Sequence, residues 1–199
     1  MARTITGTNT SGITLTSQSD NPVTVAATAV VSKPAGTLGA LYGKSGATNT
    51  WTIDNFGLIS GGLGSTSASG VYLGGLLSAV TSGVLINETA GTVLGNTYAV
   101  FVNGPASITN KSGGTISART NAAVYLRGLS TVVNSGVIAD STNTGVYLRG
   151  GGSLTNNAGG AINAASIGVR LFGIGTVNNA GTISGPGFSV LFGTTSTSN

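Results

Sequence analysis

The sequence contains no cysteine and no histidine. Without cysteine there is no disulfide, no thiolate metal site and no cysteine nucleophile. Without histidine, Ser-His-Asp triads, imidazole metal centres and the usual proton carrier near neutral pH are excluded as well. Charge is scarce. Only 6% of the 199 residues are Asp, Glu, Lys or Arg, against about 25% in an ordinary globular chain. The carboxylates are Asp20, Asp54, Glu88 and Asp140, too few and too scattered for a glycosidase-type pair with supporting groups. The net charge is +4 and the pI about 9.8. Even so, Arg3, Lys33, Lys44, Lys111, Arg119, Arg127, Arg149 and Arg170 form no basic cluster of the kind a nucleic acid requires. There are 4 prolines, which argues against a Pro-rich linker. No apolar run approaches the ~18 residues of a membrane span. Met1-Ala2-Arg3-Thr4 leads into Thr/Gly/Asn-rich sequence without the apolar segment of a secretory signal. These absences lead us to expect no enzyme, no metal, no cofactor, no nucleic-acid partner and no membrane insertion.

The chain is instead rich in small polar residues: 34 Gly, 29 Thr, 23 Ser and 17 Asn, just over half of the total. Such a mixture can mean disorder. Here 40% of residues are apolar and the mean hydropathy is +0.34, so material for a core is present. The length fits one domain.

The order of these residues is periodic. An apolar residue, any residue and Asn are followed after a short gap by Gly, any residue and Ile or Val. The phrase reads Ile53-Asp54-Asn55 with Gly57-Leu58-Ile59, and Leu85-Ile86-Asn87 with Gly91-Thr92-Val93. It returns as Ile108-Thr109-Asn110 with Gly114-Thr115-Ile116, Val132-Val133-Asn134 with Gly136-Val137-Ile138, Leu154-Thr155-Asn156 with Gly160-Ala161-Ile162, and Val177-Asn178-Asn179 with Gly181-Thr182-Ile183. Asn55, Asn87, Asn110, Asn134, Asn156 and Asn179 are thus spaced by 32, 23, 24, 22 and 23 residues, one period with one insertion. A second phrase follows each copy: Gly70-Val71-Tyr72-Leu73, Ala99-Val100-Phe101-Val102, Ala123-Val124-Tyr125-Leu126, Gly145-Val146-Tyr147-Leu148, Gly168-Val169-Arg170-Leu171 and Ser189-Val190-Leu191-Phe192.

Three short alternating strands in 22–24 residues, separated by turn residues, predict a three-sided parallel β-helix. About eight coils are expected, starting near residues 5, 30, 53, 85, 108, 132, 154 and 177, on a rod of about 38 Å. The domain spans 1–199, with irregular coils over 1–50, an insertion within 60–84, regular coils over 85–193 and a short tail over 194–199. In the first coil we expect Ile5, then Ile13 and Leu15, then Val23 and Val25; in the second, Val30, Gly36-Thr37-Leu38 and Leu41-Tyr42. Alternation should stack Val71 through Val190, Ile59 through Ile183 and Ile53 through Val177 as interior columns, with the asparagines bonding along the axis at a turn. Glu88 should meet Lys111 one coil on, whereas Asp54 and Glu88 should not meet.

Ser107-Ile108-Thr109-Asn110, Ser135-Gly136-Val137-Ile138 and Ala180-Gly181-Thr182-Ile183 carry a resemblance to the passenger regions of bacterial autotransporter and filamentous-haemagglutinin-type adhesins. The resemblance covers nearly the whole chain, more loosely before residue 50. It implies a right-handed β-helix, extracellular or cell-surface display, and adhesion. The chain departs from the pattern in showing no signal and no membrane barrel.

Several motifs compete with this reading. Gly43-Lys44-Ser45 ends like a phosphate loop, but Leu38 stands where that loop needs Gly, and a turn is expected. Gly61-Gly62-Leu63-Gly64 lacks the Asp of a calcium repeat, having Thr66. Gly173-Ile174-Gly175 has Asn178 in place of a third Gly. The Thr37, Leu58, Thr92, Thr115, Val137, Ala161, Thr182 column is too irregular for an ice-binding face. Asn87 and Asn110 also fall in glycosylation triplets. The outward face of the third strand is more pointed. Tyr42, Tyr72, Phe101, Tyr125, Tyr147 and Arg170 form a column, flanked by Arg127 and Arg149. Two uses are open: a contact stripe for a glycan, a host molecule or a neighbouring rod, as in a glycan-binding or remnant polysaccharide-acting module, or an aromatic ladder that stabilises the sheet.

Neither end shows an amphipathic capping helix, and the coil count is close to an integer. Bare coil ends favour further pairing. The expectation is head-to-tail self-association into a fibre, through Ile5, Ile13, Leu15, Val23 and Val25 at one end and Val177, Ile183, Val190 and Phe192 at the other.

Overall fold

Between the glycines and asparagines stand runs of only a few residues, too short to persist as isolated helices. Each can instead pair with the equivalent run one repeat away. The computed structural model describes residues 2–34, 38–44, 49–62, 68–75 and 81–193. Among them, 24 strands form three eight-stranded sheets, and the one helical element is a 3-10 turn at Gln18–Asp20. The fold is all-β, a three-sided parallel β-helix of eight coils.

The first sheet stacks Arg3–Ile5, Val23–Val25, Thr50–Asn55, Ser82–Asn87, Ala106–Asn110, Ser130–Asn134, Gly152–Asn156 and Gly175–Asn179 in that order. The second stacks Thr8–Asn9, Val30–Lys33, Leu58–Gly61, Thr92–Gly95, Thr115–Ala118, Val137–Asp140, Ala161–Ala164 and Thr182–Ser184. The third runs from Ile13–Leu15 through Leu38–Gly43, Ala68–Leu73, Tyr98–Val102, Ala122–Leu126, Thr144–Leu148 and Ile167–Phe172 to Phe188–Gly193. Every strand neighbour is parallel and one coil away. From Leu85 on, where repeat lengths are nearly equal, sequence position converts directly into sheet register.

The three expected interior columns form. Ile53, Leu85, Ile108, Val132 and Leu154 follow one another in the first sheet. Ile59, Val93, Ile116, Ile138 and Ile162 do so in the second, and Val71, Val100, Val124, Val146 and Val169 in the third. All are buried, each contributing about 1.5–3 kcal/mol by leaving water. Trp51, fully buried, is the bulkiest member of the core, and its Nε1 donates to the Lys44 carbonyl at 3.2 Å.

The first two coils differ from the expectation in phase, although the count of eight holds. Ile5 pairs with Val25, and Val25 with Asn55. Val23 and Val25 thus open the second coil in the first sheet and do not close the first coil. Val30 lies in the second sheet, paired with Leu58, where Thr37 was expected. Gly36 and Thr37 lie outside the described residues, as do Ser45, Leu63, Gly64, Thr66 and the tail 194–199. The first coil has strands of 3, 2 and 3 residues, so alternation there is too brief to fix its phase. The extra length of the third coil sits in two connections, before and after Ala68–Leu73, while the strand itself keeps its register with Leu38–Gly43 and Tyr98–Val102.

The column model makes a prediction. Ile116→Ala, fully buried between Val93 and Ile138, should cost about 2–5 kcal/mol. Thr115→Ala, beside it on the outer face, should stay within about 0.5 kcal/mol. Urea unfolding followed by circular dichroism measures both, and equal costs would contradict the interior assignment.

Candidate functional site: the amide ladder and the aromatic face

The asparagines lie inside the rod, at the end of each first-sheet strand. Nδ2 of Asn55 donates to Oδ1 of Asn87 at 2.8 Å, and the pattern repeats through Asn110, Asn134, Asn156 and Asn179 at 2.8–2.9 Å. The second amide hydrogen goes to backbone carbonyls at the following turn, such as Gly114 from Asn110 at 3.2 Å. Asn55, Asn87, Asn110, Asn134 and Asn156 are fully buried, so these bonds replace lost water. The Gly of each phrase has a local cause. A Cβ on Gly114 would stand 2.6 Å from Asn110 Oδ1 and 2.9 Å from Asn87 Nδ2, too close for any side chain. Burial of Asn87 and Asn110 also removes them as glycosylation acceptors in the folded chain.

On the outside of the third sheet the register brings Tyr42, Tyr72, Phe101, Tyr125, Tyr147 and Arg170 into one column, as expected. Their accessibility differs from the expectation of an open stripe. Tyr72 is 5% and Phe101 2% exposed. Tyr42, Tyr125, Tyr147, Arg127 and Arg170 are half-buried, and Arg149 is exposed. The rings pack on one another, Tyr72 against Phe101 at 4.5 Å between centroids and Phe101 against Tyr125 at 5.6 Å, both stacked. Arg170 lies over the Tyr147 and Phe172 rings at 4.9 and 4.8 Å. Such contacts stabilise a sheet surface by themselves.

Tyr98 belongs to this cluster and was missed in the sequence. Its ring lies 5.3 Å from Phe101 and 5.2 Å from Tyr125, and its hydroxyl accepts from Asn121 Nδ2 at 3.1 Å. Strict alternation would send Tyr98 inward with Val100. It does not, because Ala99 and Val100 are both fully buried at a corner. The signal was the small residue before each Val: Gly70, Ala99, Ala123, Gly145, Gly168 and Ser189.

Burial pushes the Tyr72 phenol up to about 12, with the neighbouring Tyr42 and Tyr98 phenols adding to the rise and Arg127 opposing it. Tyr98 is also raised, by burial first and then by Tyr125, again opposed by Arg127. Among the described residues the buried Tyr72 hydroxyl has no hydrogen-bond partner.

The carboxylates are dispersed. Asp20 lies 3.7 Å from Arg3, and Glu88 holds Lys111 at 2.7 Å, as the shared column predicted. Asp140 is buried and accepts from the Thr142 and Asn143 amides of its own turn. Asp54 stands on the outer face of the first sheet between Thr24 and Ile86 and does not meet Glu88. No group of three or more Asp, Glu, His or Cys that could hold a metal occurs among the described residues, and no helix there is long and apolar enough to cross a membrane. Gly43 is the last residue of a third-sheet strand, paired with Leu15 and Leu73, and not a turn residue, while Gly173 turns the corner with φ +80 and Gly175 opens the next first-sheet strand.

The fold and its internal ladder define a parallel β-solenoid repeat protein. Comparison with protein-family models, curated proteins and solved structures returns no match, and the resemblance to adhesin passengers gains no support from it.

Two outcomes follow from this geometry. Asn134→Leu leaves Asn110 without its acceptor and Asn156 without its donor inside the rod, so unfolding stability should fall by about 1–3 kcal/mol. Asn179→Leu, at the exposed end of the row, removes only the acceptor of Asn156 and should cost less, about 0.5–1.5 kcal/mol. In alkaline titration read at 295 nm, the Tyr72 and Tyr98 phenolates should appear above the ordinary tyrosine value of 10.0. Because the folded state holds the Tyr72 proton above the ordinary value of 10.0, stability should be intact below pH 10 and fall as pH rises towards 12. Tyr72→Phe should remove that part of the decline.

Proposed function

We propose that this β-solenoid is a non-enzymatic structural element, a stiff rod serving as an extracellular fibre subunit or adhesin stalk. One observation carries the reading: a file of side-chain amide hydrogen bonds, unbroken from Asn55 to Asn179, inside three continuous parallel sheets. Each coil is a template for the next, and load along or across the rod is shared by ladders and packed columns together.

The last coil supports axial extension. Val177, Ile183 and Val190 are half-buried where their column-mates are fully buried, and Phe192 is 58% exposed. A further coil from this or another chain would cover them. Stacking of the first coil of a second copy is the extension we propose. The third sheets match, Val190 meeting Ile13 and Phe192 meeting Leu15. Elsewhere the columns cross: Val177 would meet Arg3, Asn179 would meet Ile5 and Ile183 would meet Asn9, as the register through all eight coils dictates. The junction is therefore weaker than any internal coil contact. Val23 and Val25 lie one coil inside and take no part. The alternative use of the aromatic stripe, glycan binding, loses its two central rings, Tyr72 and Phe101, to burial.

Negative-stain electron microscopy of the purified protein should show rods joined end to end. Val190→Lys and Phe192→Asp should disperse them without loss of the β-sheet spectrum. Dispersed single rods of the unaltered protein would reject the stacking.

A further inference from the structure

The corner between the third and first sheets carries a feature that the rod itself does not require. In three successive coils it reads Arg127-Gly128-Leu129, Arg149-Gly150-Gly151 and Phe172-Gly173-Ile174. The flanking pairs, Leu126 with Leu148 with Leu171 and Ser130 with Gly152 with Gly175, place Leu129, Gly151 and Ile174 in one column. Leu129 is 67% and Ile174 93% exposed, and between them the middle coil offers no side chain. The result is an open slot of about 370 Å³ with Leu129 and Ile174 as walls and Thr131, Gly152 and Ser153 on its floor. The walls stand two strand spacings apart, about 9.6 Å, which leaves room for a single ring between two aliphatic side chains. The gap cannot be filled from within. Gly151 has φ +81, and a Cβ there would lie 2.4 Å from the Ile174 carbonyl oxygen.

The same chain carries a matching projection. Phe56 is 40% exposed at the corner after the first sheet. Asp54 lies two residues before it. Glu88, one coil on, occupies the same corner position, its amide donating to the Asn55 carbonyl as that of Phe56 does to the Val25 carbonyl. Among the described residues Asp20 and Glu88 are held by Arg3 and Lys111, and Asp140 by its own turn, whereas Asp54 has no ion-pair partner. Arg149, exposed at the start of the glycine-lined corner, has none either. The projection is thus acidic and aromatic, and the slot is aliphatic with Arg149 beside it at the start of the middle corner.

We propose that the slot receives Phe56 of a second copy, with Asp54 of that copy meeting Arg149. The projection lies in the third coil and the slot between the sixth and seventh, and the sense of winding brings Asp54 to the Arg149 side of the contact when the two rods run antiparallel. The contact is heterologous and does not close on itself. It joins rods side by side and is independent of end-to-end stacking.

Sedimentation velocity on a Val190→Lys background, which blocks the ends, tests the lateral contact alone. That protein should self-associate at low ionic strength and less so as salt is raised. Phe56→Ala and Ile174→Asp should each weaken association at least about tenfold, with melting curves unchanged. Asp54→Arg and Arg149→Asp should each weaken it, and an equimolar mixture of the two should restore it, because each then supplies the charge the other needs. Absence of association in the background protein, association of the variants equal to it, or failure of the mixture to recover would overturn the proposal. Loss of this contact with end-joined rods persisting in the unaltered protein would leave the axial reading standing.

Discussion

The structure depends on one constraint: a residue and its counterpart one repeat later must lie directly over each other along a single axis. In a parallel sheet, a slip of one residue would turn every inward side chain outward. The buried amides make that slip costly in a second way, since a displaced asparagine would bring an unsatisfied polar group into an apolar core. Core columns and amide file therefore enforce the same register by different physics. Glycine completes the arrangement where the turn passes against the amides, because nothing larger fits beside Asn110 and Asn87.

The regular part of this architecture was open to reading from sequence because like residues recur at nearly constant intervals from Asn87 onward. Position alone then gives the neighbour, as the Glu88 and Lys111 pair illustrates. Where repetition is weak the reading falters. The first coil, with strands of two or three residues, offers too few alternations to fix its phase, and Val23 and Val25 were assigned to the wrong side of the triangle. Accessibility is a different quantity again. The outward column was correctly aligned, but Tyr72 and Phe101 are covered, and strict alternation hid Tyr98 among residues that cluster around them. A bend that places two consecutive residues inside, as at Ala99 and Val100, breaks the rule from which outward positions are inferred.

The surface divides its few charges unevenly between internal and external use. Arg170 is committed to the rings of Tyr147 and Phe172, and Glu88 to Lys111. In a chain with only twelve charged side chains, those left without a partner stand out against a background of hydroxyls and amides. Specific recognition by such a rod has to come from small departures in its corners, where a glycine, a leucine or a phenylalanine replaces the usual turn residue, and not from the monotonous faces of its sheets.

The amide file also has a sense of direction. Every side-chain NH2 faces the same way along the axis, and the row begins at Asn55, whose oxygen accepts the Gly57 amide. One asparagine turned over would set oxygen against oxygen on one side and NH2 against NH2 on the other, besides losing its carbonyl acceptors. The six amides therefore behave like compass needles in a line, each held by its neighbours and by the local turn, and the interior of the rod distinguishes its two ends even where the outer faces look alike.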